Sequence, residues 1–120
     1  MKKIEVKKYD HCEHIVIVYE LDKRYIDTED VDYDDICVWD KVDLFDPRLK
    51  YNSGVNVGYR GEGPRTLARI IVETFRDYEN NKAQFAAIEN VEDYLSKIGK
   101  EKDDAIDNFT IIEKDINHLL

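Results

Sequence analysis

Cysteine is scarce in this chain, with Cys12 and Cys37 the only two among 120 residues, far apart and without a CxxC spacing. That argues against a disulfide-stapled scaffold and a cysteine-based zinc module: the two could pair in an exported protein, but the expectation is two small buried hydrophobes in a reducing compartment. Long apolar runs are missing as well. The longest, Ile15 to Tyr19, falls far short of the roughly 20 residues that span a bilayer, so no membrane partner is expected. The opening MKKIEVKKYD has lysines with no apolar stretch behind them, which excludes a secretory signal and predicts a cytoplasmic location, in the host cell if the source is viral. Three histidines and two serines leave little for nucleophilic catalysis: Ser53 sits in a turn and Ser96 within a helical stretch. No internal repeat or low-complexity tract is present.

Hydrophobic residues supply 42% of the chain, enough for a core despite 38% charged residues, and the length fits a single domain over residues 1–120. The net charge of −9 argues against direct binding to nucleic acid. Its distribution is uneven. Residues 48–76 hold six basic groups (Arg48, Lys50, Arg60, Arg65, Arg69, Arg76) against two acids (Glu62, Glu73), a local +4 against −13 elsewhere. Five of the six arginines fall there, and arginine suits bidentate phosphate or carboxylate contacts; the lysines are spread along the chain as solubilising charge.

Residues 4–9 and 14–21, rich in β-branched and aromatic types, predict a first hairpin, and Lys23–Thr28 with Ile36–Val42 a second strand pair around an acidic run. That run holds Asp27, Glu29, Asp30, Asp32, Asp34 and Asp35, a solvated loop or a charge-protected edge. After Pro47 and an Asn-Ser-Gly turn, a strand is expected over Val55–Tyr59. A helix then begins at Pro64 and runs to Glu79, with Leu67, Ile71, Phe75 and Tyr78 on one stripe. A second helix over 82–98 carries Ile88, Val91, Leu95 and Ile98 inward and stops at Gly99. A polar connection at 100–108, an extended piece from Phe109 and a terminal helical turn complete the chain. Strands first and helices after predict an α+β fold: an N-terminal antiparallel β-sheet, two main helices packed on one face and a short C-terminal helix.

The stretch from Val55 to Glu79 carries the chemistry. Gly58, Gly61 and Gly63 lead into a helix N-terminus, an arrangement that presents amide N–H groups and the positive end of a helix dipole to an anion. GYRGEGP matches neither GxxxxGK[ST] nor GxGxxG, so neither a P-loop nor a dinucleotide fold is expected. The predicted ligand-binding residues are Tyr59, Arg60, Gly61, Gly63, Arg65 and Arg69, with Tyr59 as a stacking surface. No cofactor is expected. The acids from Asp30 fail the calcium-hand pattern, with Asp35 where glycine is needed and Lys41 where a bidentate glutamate is needed. His11, Cys12, Glu13 and His14 give too few zinc ligands, and Asp40, Asp43 and Asp46 recur before Pro47 as a weak magnesium alternative.

GVNVGYRGEGPRTLARIIV resembles the signature of a small domain-of-unknown-function family of phages, plasmids and host chromosomes, an aromatic-Gly-Tyr-x-Gly-x-Gly-Pro-x-x-Leu-Ala core. Gly58, Tyr59, Gly61, Gly63, Pro64, Leu67 and Ala68 match it, while Val57 stands where an aromatic is usual. The likeness covers Asp46 to Leu120. It implies a setting in mobile elements and their hosts, where small acidic proteins counter host defence. The leading expectation is a non-enzymatic protein that sequesters a phosphate-bearing signalling nucleotide, sharing its pocket within a homo-oligomer. The alternatives are an acidic inhibitor of a host defence protein that imitates nucleic acid, and a metal-dependent enzyme.

Overall fold

The computed structural model describes residues 1–9, 13–98 and 108–120. The expectations that rest on His11, Cys12, Gly99 and the polar connection at 100–107 lie outside them. β1 (Lys2–Tyr9) and β2 (Glu13–Leu21) form the expected hairpin, with Ile4 opposite Val18 and Val6 opposite Val16. Because side chains alternate across a strand, these four point to one face and are buried there. Lys3 and Tyr19, also opposite each other, point to the other face.

β3 (Trp39–Phe45) joins the free edge of β2, and β4 (Asn108–Ile112) joins β1, giving an antiparallel order β3-β2-β1-β4. The second strand pair expected over Lys23–Thr28 and Ile36–Val42 does not form. The Asp22 carboxylate accepts the Arg24 N–H at 2.9 Å and caps a 3-10 turn at Lys23–Tyr25, a local bond that competes with a ladder. Asp35 does the same for Cys37 in a second turn at Ile36–Val38, which delays β3 to Trp39. This turn sends Val38 inward and leaves Cys37 exposed, contrary to the buried thiol expected. The β2–β3 register shifts between Val18 and Tyr19, whose partners are Asp43 and Lys41, so Val42 is the bulged residue.

Val55–Tyr59 is likewise not a strand. Gly58, at φ 90°, donates its N–H to the Leu95 carbonyl at 2.9 Å instead of to a ladder. Upstream, Asp46 caps the short helix α1 (Pro47–Tyr51), which ends at Asn52 in the left-handed region. The helix α2 (Glu62–Phe75) begins at Glu62 rather than Pro64, which is its third residue and still within the first turn where an N–H has no partner to lose. It stops at Phe75 rather than Glu79. Arg76 is extended, its guanidinium donating to Glu113 at 2.8 Å and Asn117 at 2.7 Å, and Asn80 caps α3 (Asn81–Lys97) by accepting the Lys82 N–H at 2.8 Å. No helix among the described residues is long and apolar enough to cross a membrane.

Leu67, Ala68, Ile70, Ile71, Val72 and Phe75 of α2 are buried, with Ala87, Val91 and Leu95 of α3, against Ile4, Val6, Val16 and Val18 of the sheet. Each fully buried Ile, Leu or Val of this kind contributes about 1.5–3 kcal/mol. A short C-terminal helix α4 (Glu113–Ile116) sends Ile116 into the same core. The fold is therefore α+β, with two main helices on one sheet face. The opposite face carries a smaller cluster of Leu21, Val38 and Trp39, covered by Tyr25 of the first 3-10 turn and by Val31 and Tyr33 of the acidic segment. Trp39 Nε1 donates to the Tyr33 carbonyl at 2.9 Å. Lys3 is buried there, its ammonium 4.6 Å from the Tyr19 ring centroid and 4.8 Å from that of Trp39.

Candidate functional site

Gly61 is the N-cap of α2 and offers no side-chain cap, but its carbonyl accepts the Arg65 N–H at 3.1 Å. Pro64 has no N–H, so Glu62 and Gly63 supply the helical amides at this open end. The Glu62 carboxylate lies in the same turn, at the positive end of the helix dipole. Tyr59 lies across both glycines. A Cβ on Gly61 would stand 2.8 Å from Tyr59 Cε2, and one on Gly63 would stand 2.7 Å from Tyr59 Oη and 2.9 Å from Asn56 Cβ. The glycines thus make room for the chain's own Tyr59 and Asn56, and Tyr59 remains 47% exposed.

The three arginines of the predicted site each meet a carboxylate. Arg60 Nη2 lies 2.5 Å from Asp93 Oδ1, Arg65 Nε 3.8 Å from Glu92 Oε2, and Arg69 Nε 3.0 Å from Glu73 Oε1. Asp93 also accepts from Lys97 at 2.9 Å. Hydrogen bonding from Lys97, and after it from Arg60, holds its carboxyl below the usual range. Tyr51 donates to Glu73 Oε2 at 2.8 Å, and burial, reinforced by that bond, pushes its hydroxyl up to about 12. The guanidinium of Arg69 stands 5.4 Å from the Tyr51 ring centroid and that of Arg65 6.0 Å from the Phe85 ring centroid.

Two cavities share Arg65. The first, about 450 Å³, lies between Arg60 and Arg65 on one side and Glu89, Asn90, Glu92 and Asp93 of α3 on the other. The second, about 440 Å³, is lined by Arg65, Arg69, Tyr51, Thr66, Phe85 and Ile88 among others. So the structure brings Arg60 to Arg65, and Arg65 to Arg69, but Arg60 and Arg69 line different cavities. Tyr51, Phe85, Glu92 and Asp93 were missed by sequence reasoning. Asp93 lies 33 residues from Arg60, and only the packing of α3 beside the glycine loop reveals their pairing.

The six acids of the Asp27–Asp35 run are exposed on a segment held in place by its own carboxylates, Asp32 accepting the Asp34 N–H at 3.0 Å and Asp35 that of Cys37 at 2.9 Å. Asp43 accepts the Leu44 N–H at 2.8 Å and Asp46 caps α1, so both are engaged locally. Among the described residues no three His, Cys, Asp or Glu side chains converge as metal ligands. Comparison of the chain with family models, with curated proteins and with solved structures gave no significant match.

Proposed function

We propose that this chain is a non-enzymatic binding protein that captures a small phosphate-bearing ligand at the head of α2. In the mobile-element setting that the resemblance implies, the ligand is a signalling nucleotide and its sequestration counters host defence. The observation that carries the reading is the meeting of Arg60 and Arg65 at one cavity beside the open first turn of α2. A phosphate there must displace Asp93 from Arg60, an exposed pair worth about 0–1 kcal/mol, and Glu92 from Arg65, and it must sit beside Glu89 as well. A phosphate would replace these carboxylates as the shared charge-assisted acceptor of both guanidinium groups, and the helix end favours its charge.

The test is thermal unfolding of the purified protein with nucleotides and cyclic dinucleotides at low salt, since a ligand that binds the folded state raises the midpoint by mass action. A rise with a phosphate ligand is expected in the wild type and lost when Arg60→Glu and Arg65→Glu are combined, with the circular dichroism of the fold kept. An unchanged midpoint with every ligand would sink the proposal.

A second reading is an acidic inhibitor of a host protein. It is favoured by the way the Asp27–Asp35 run is pinned over the sheet through Tyr33 and Trp39, which presents its carboxylates on a fixed surface. Charge reversal at Asp30, Asp32 and Asp34 would then abolish inhibition, while the paired arginine changes would not.

A further inference from the structure

Resting on the phosphate reading above, we infer that the ligand joins its phosphate to a flat aromatic ring, as a nucleoside monophosphate does, and that Phe85 is the platform for that ring. Ala87, Val91 and Leu95 of α3 turn into the core, yet Phe85 is 52% exposed and lines the second cavity. A single exposed phenylalanine is unremarkable by itself. This one faces the guanidinium of Arg65, the one residue that the two cavities share. On the far side of the same cleft Arg69 stands against Tyr51, so the cleft has two guanidinium–ring pairs whose arginines are one helical turn apart. Thr66, Ile88, Ser53 and the Glu62 carboxylate complete the wall, so two guanidinium groups face one acid in this cavity.

The volume of about 440 Å³ lies within the roughly 300–1,000 Å³ of small-molecule sites. A bare phosphate would use Arg60 and Arg65 and leave Phe85 in water. A ligand that runs past Arg65 places its anion between the Arg60 and Arg65 guanidinium groups, in place of Asp93 and Glu92, and its ring on Phe85, with Arg65 bordering both cavities. Stacking of this kind tolerates any base, because every base has a π-face, so the inference assigns a class of ligand and not one nucleobase.

The experiment is isothermal titration calorimetry at low salt with four probes, AMP, UMP, ribose 5-phosphate and inorganic phosphate, on the wild type, Phe85→Ala, Phe85→Trp and the Arg60→Glu/Arg65→Glu pair. The expected result is that AMP binds about tenfold or more tightly than ribose 5-phosphate. Phe85→Ala removes that preference without changing ribose 5-phosphate binding, and Phe85→Trp retains it. Because Phe85 is half exposed, its variants keep the thermal midpoint of the unliganded protein. Equal binding of AMP and ribose 5-phosphate, or a preference that survives Phe85→Ala, overturns the ring platform and leaves the phosphate reading standing. Absence of binding by all four probes overturns this inference, and binding untouched by the paired arginine changes overturns the phosphate reading with it.

Discussion

The Tyr59 hydroxyl stands 2.7 Å from the position that a Cβ on Gly63 would occupy. Gly63→Ala is therefore expected to lower stability by about 1–3 kcal/mol. Removing the tyrosine does not restore it, since Asn56 Cβ at 2.9 Å and the Asn56 backbone nitrogen at 3.2 Å also crowd the site. Gly61→Ala meets only the Tyr59 ring, so Tyr59→Ala should rescue it. Gly54→Ala, with nothing within 4 Å, should be neutral or stabilising by up to about 1 kcal/mol. Urea unfolding of the single and double variants reads all of these, and a rescue of Gly63→Ala by Tyr59→Ala would contradict the packing described.

Tyr51 makes alkaline pH informative. Its hydroxyl pKa rises from 10.0 to about 12 in the folded protein, so the fold holds that proton more tightly than the unfolded chain does. The associated stability is fully present below pH 10 and is lost as pH climbs through about 12. Tyrosine ionisation followed by ultraviolet absorbance should show one component well above the ordinary range. Tyr51→Phe should remove this component while the raised components of Tyr19 and Tyr78, also lifted by burial, remain, and Glu73→Gln should shift it downward; a component near 12 that persists in Tyr51→Phe would assign it elsewhere.

Lys3 has the opposite sign. Burial pushes its ammonium below the ordinary lysine value of 10.5, outweighing the upward pull of Glu5 and Asp34. The folded state then binds this proton less tightly than the unfolded chain, so stability from Lys3 rises with pH through the window between its lowered value and 10.5. Lys3→Met keeps the stem between Tyr19 and Trp39 and removes the charge. The variant should match or exceed the wild type in thermal midpoint at neutral pH, and any advantage should shrink as pH approaches 10.5. An advantage that grew with pH would show that the rings and nearby carboxylates, not desolvation, dominate.

Much of the scaffold is written in local patterns. The β-branched and aromatic content of residues 4–9 and 14–21 is enough to predict a hairpin, whereas its core face is not legible in β2, where Ile17 is as apolar as Val16 and Val18. Leu67, Ile71 and Phe75, and Val91 and Leu95, announce helices by their spacing. What is missed depends on distant partners or on single caps. The β-branched and aromatic residues of Lys23–Thr28 lost to one Asp22 hydrogen bond, and the pairing of Lys3 with Ile112 joins opposite ends of the chain. The solvating role read for lysines fails at Lys3, because only the folded-back Tyr33 segment makes that position interior. At the candidate site the arginines were legible as a cluster. Their carboxylate partners Glu92 and Asp93 were not, since nothing in an α3 surface pattern says which neighbour it faces.

The bond from Gly58 N–H to Leu95 O sets the rhythm of the loop. Leu95 lies in the last turn of α3, where a carbonyl has no helical amide left to accept from, and the loop supplies one. Hydrogen exchange at Gly58 therefore requires either that the glycine loop lift away or that the end of α3 fray. One amide clock reports both motions, and a molecule that grips the loop would slow it and quieten a helix end that it never touches.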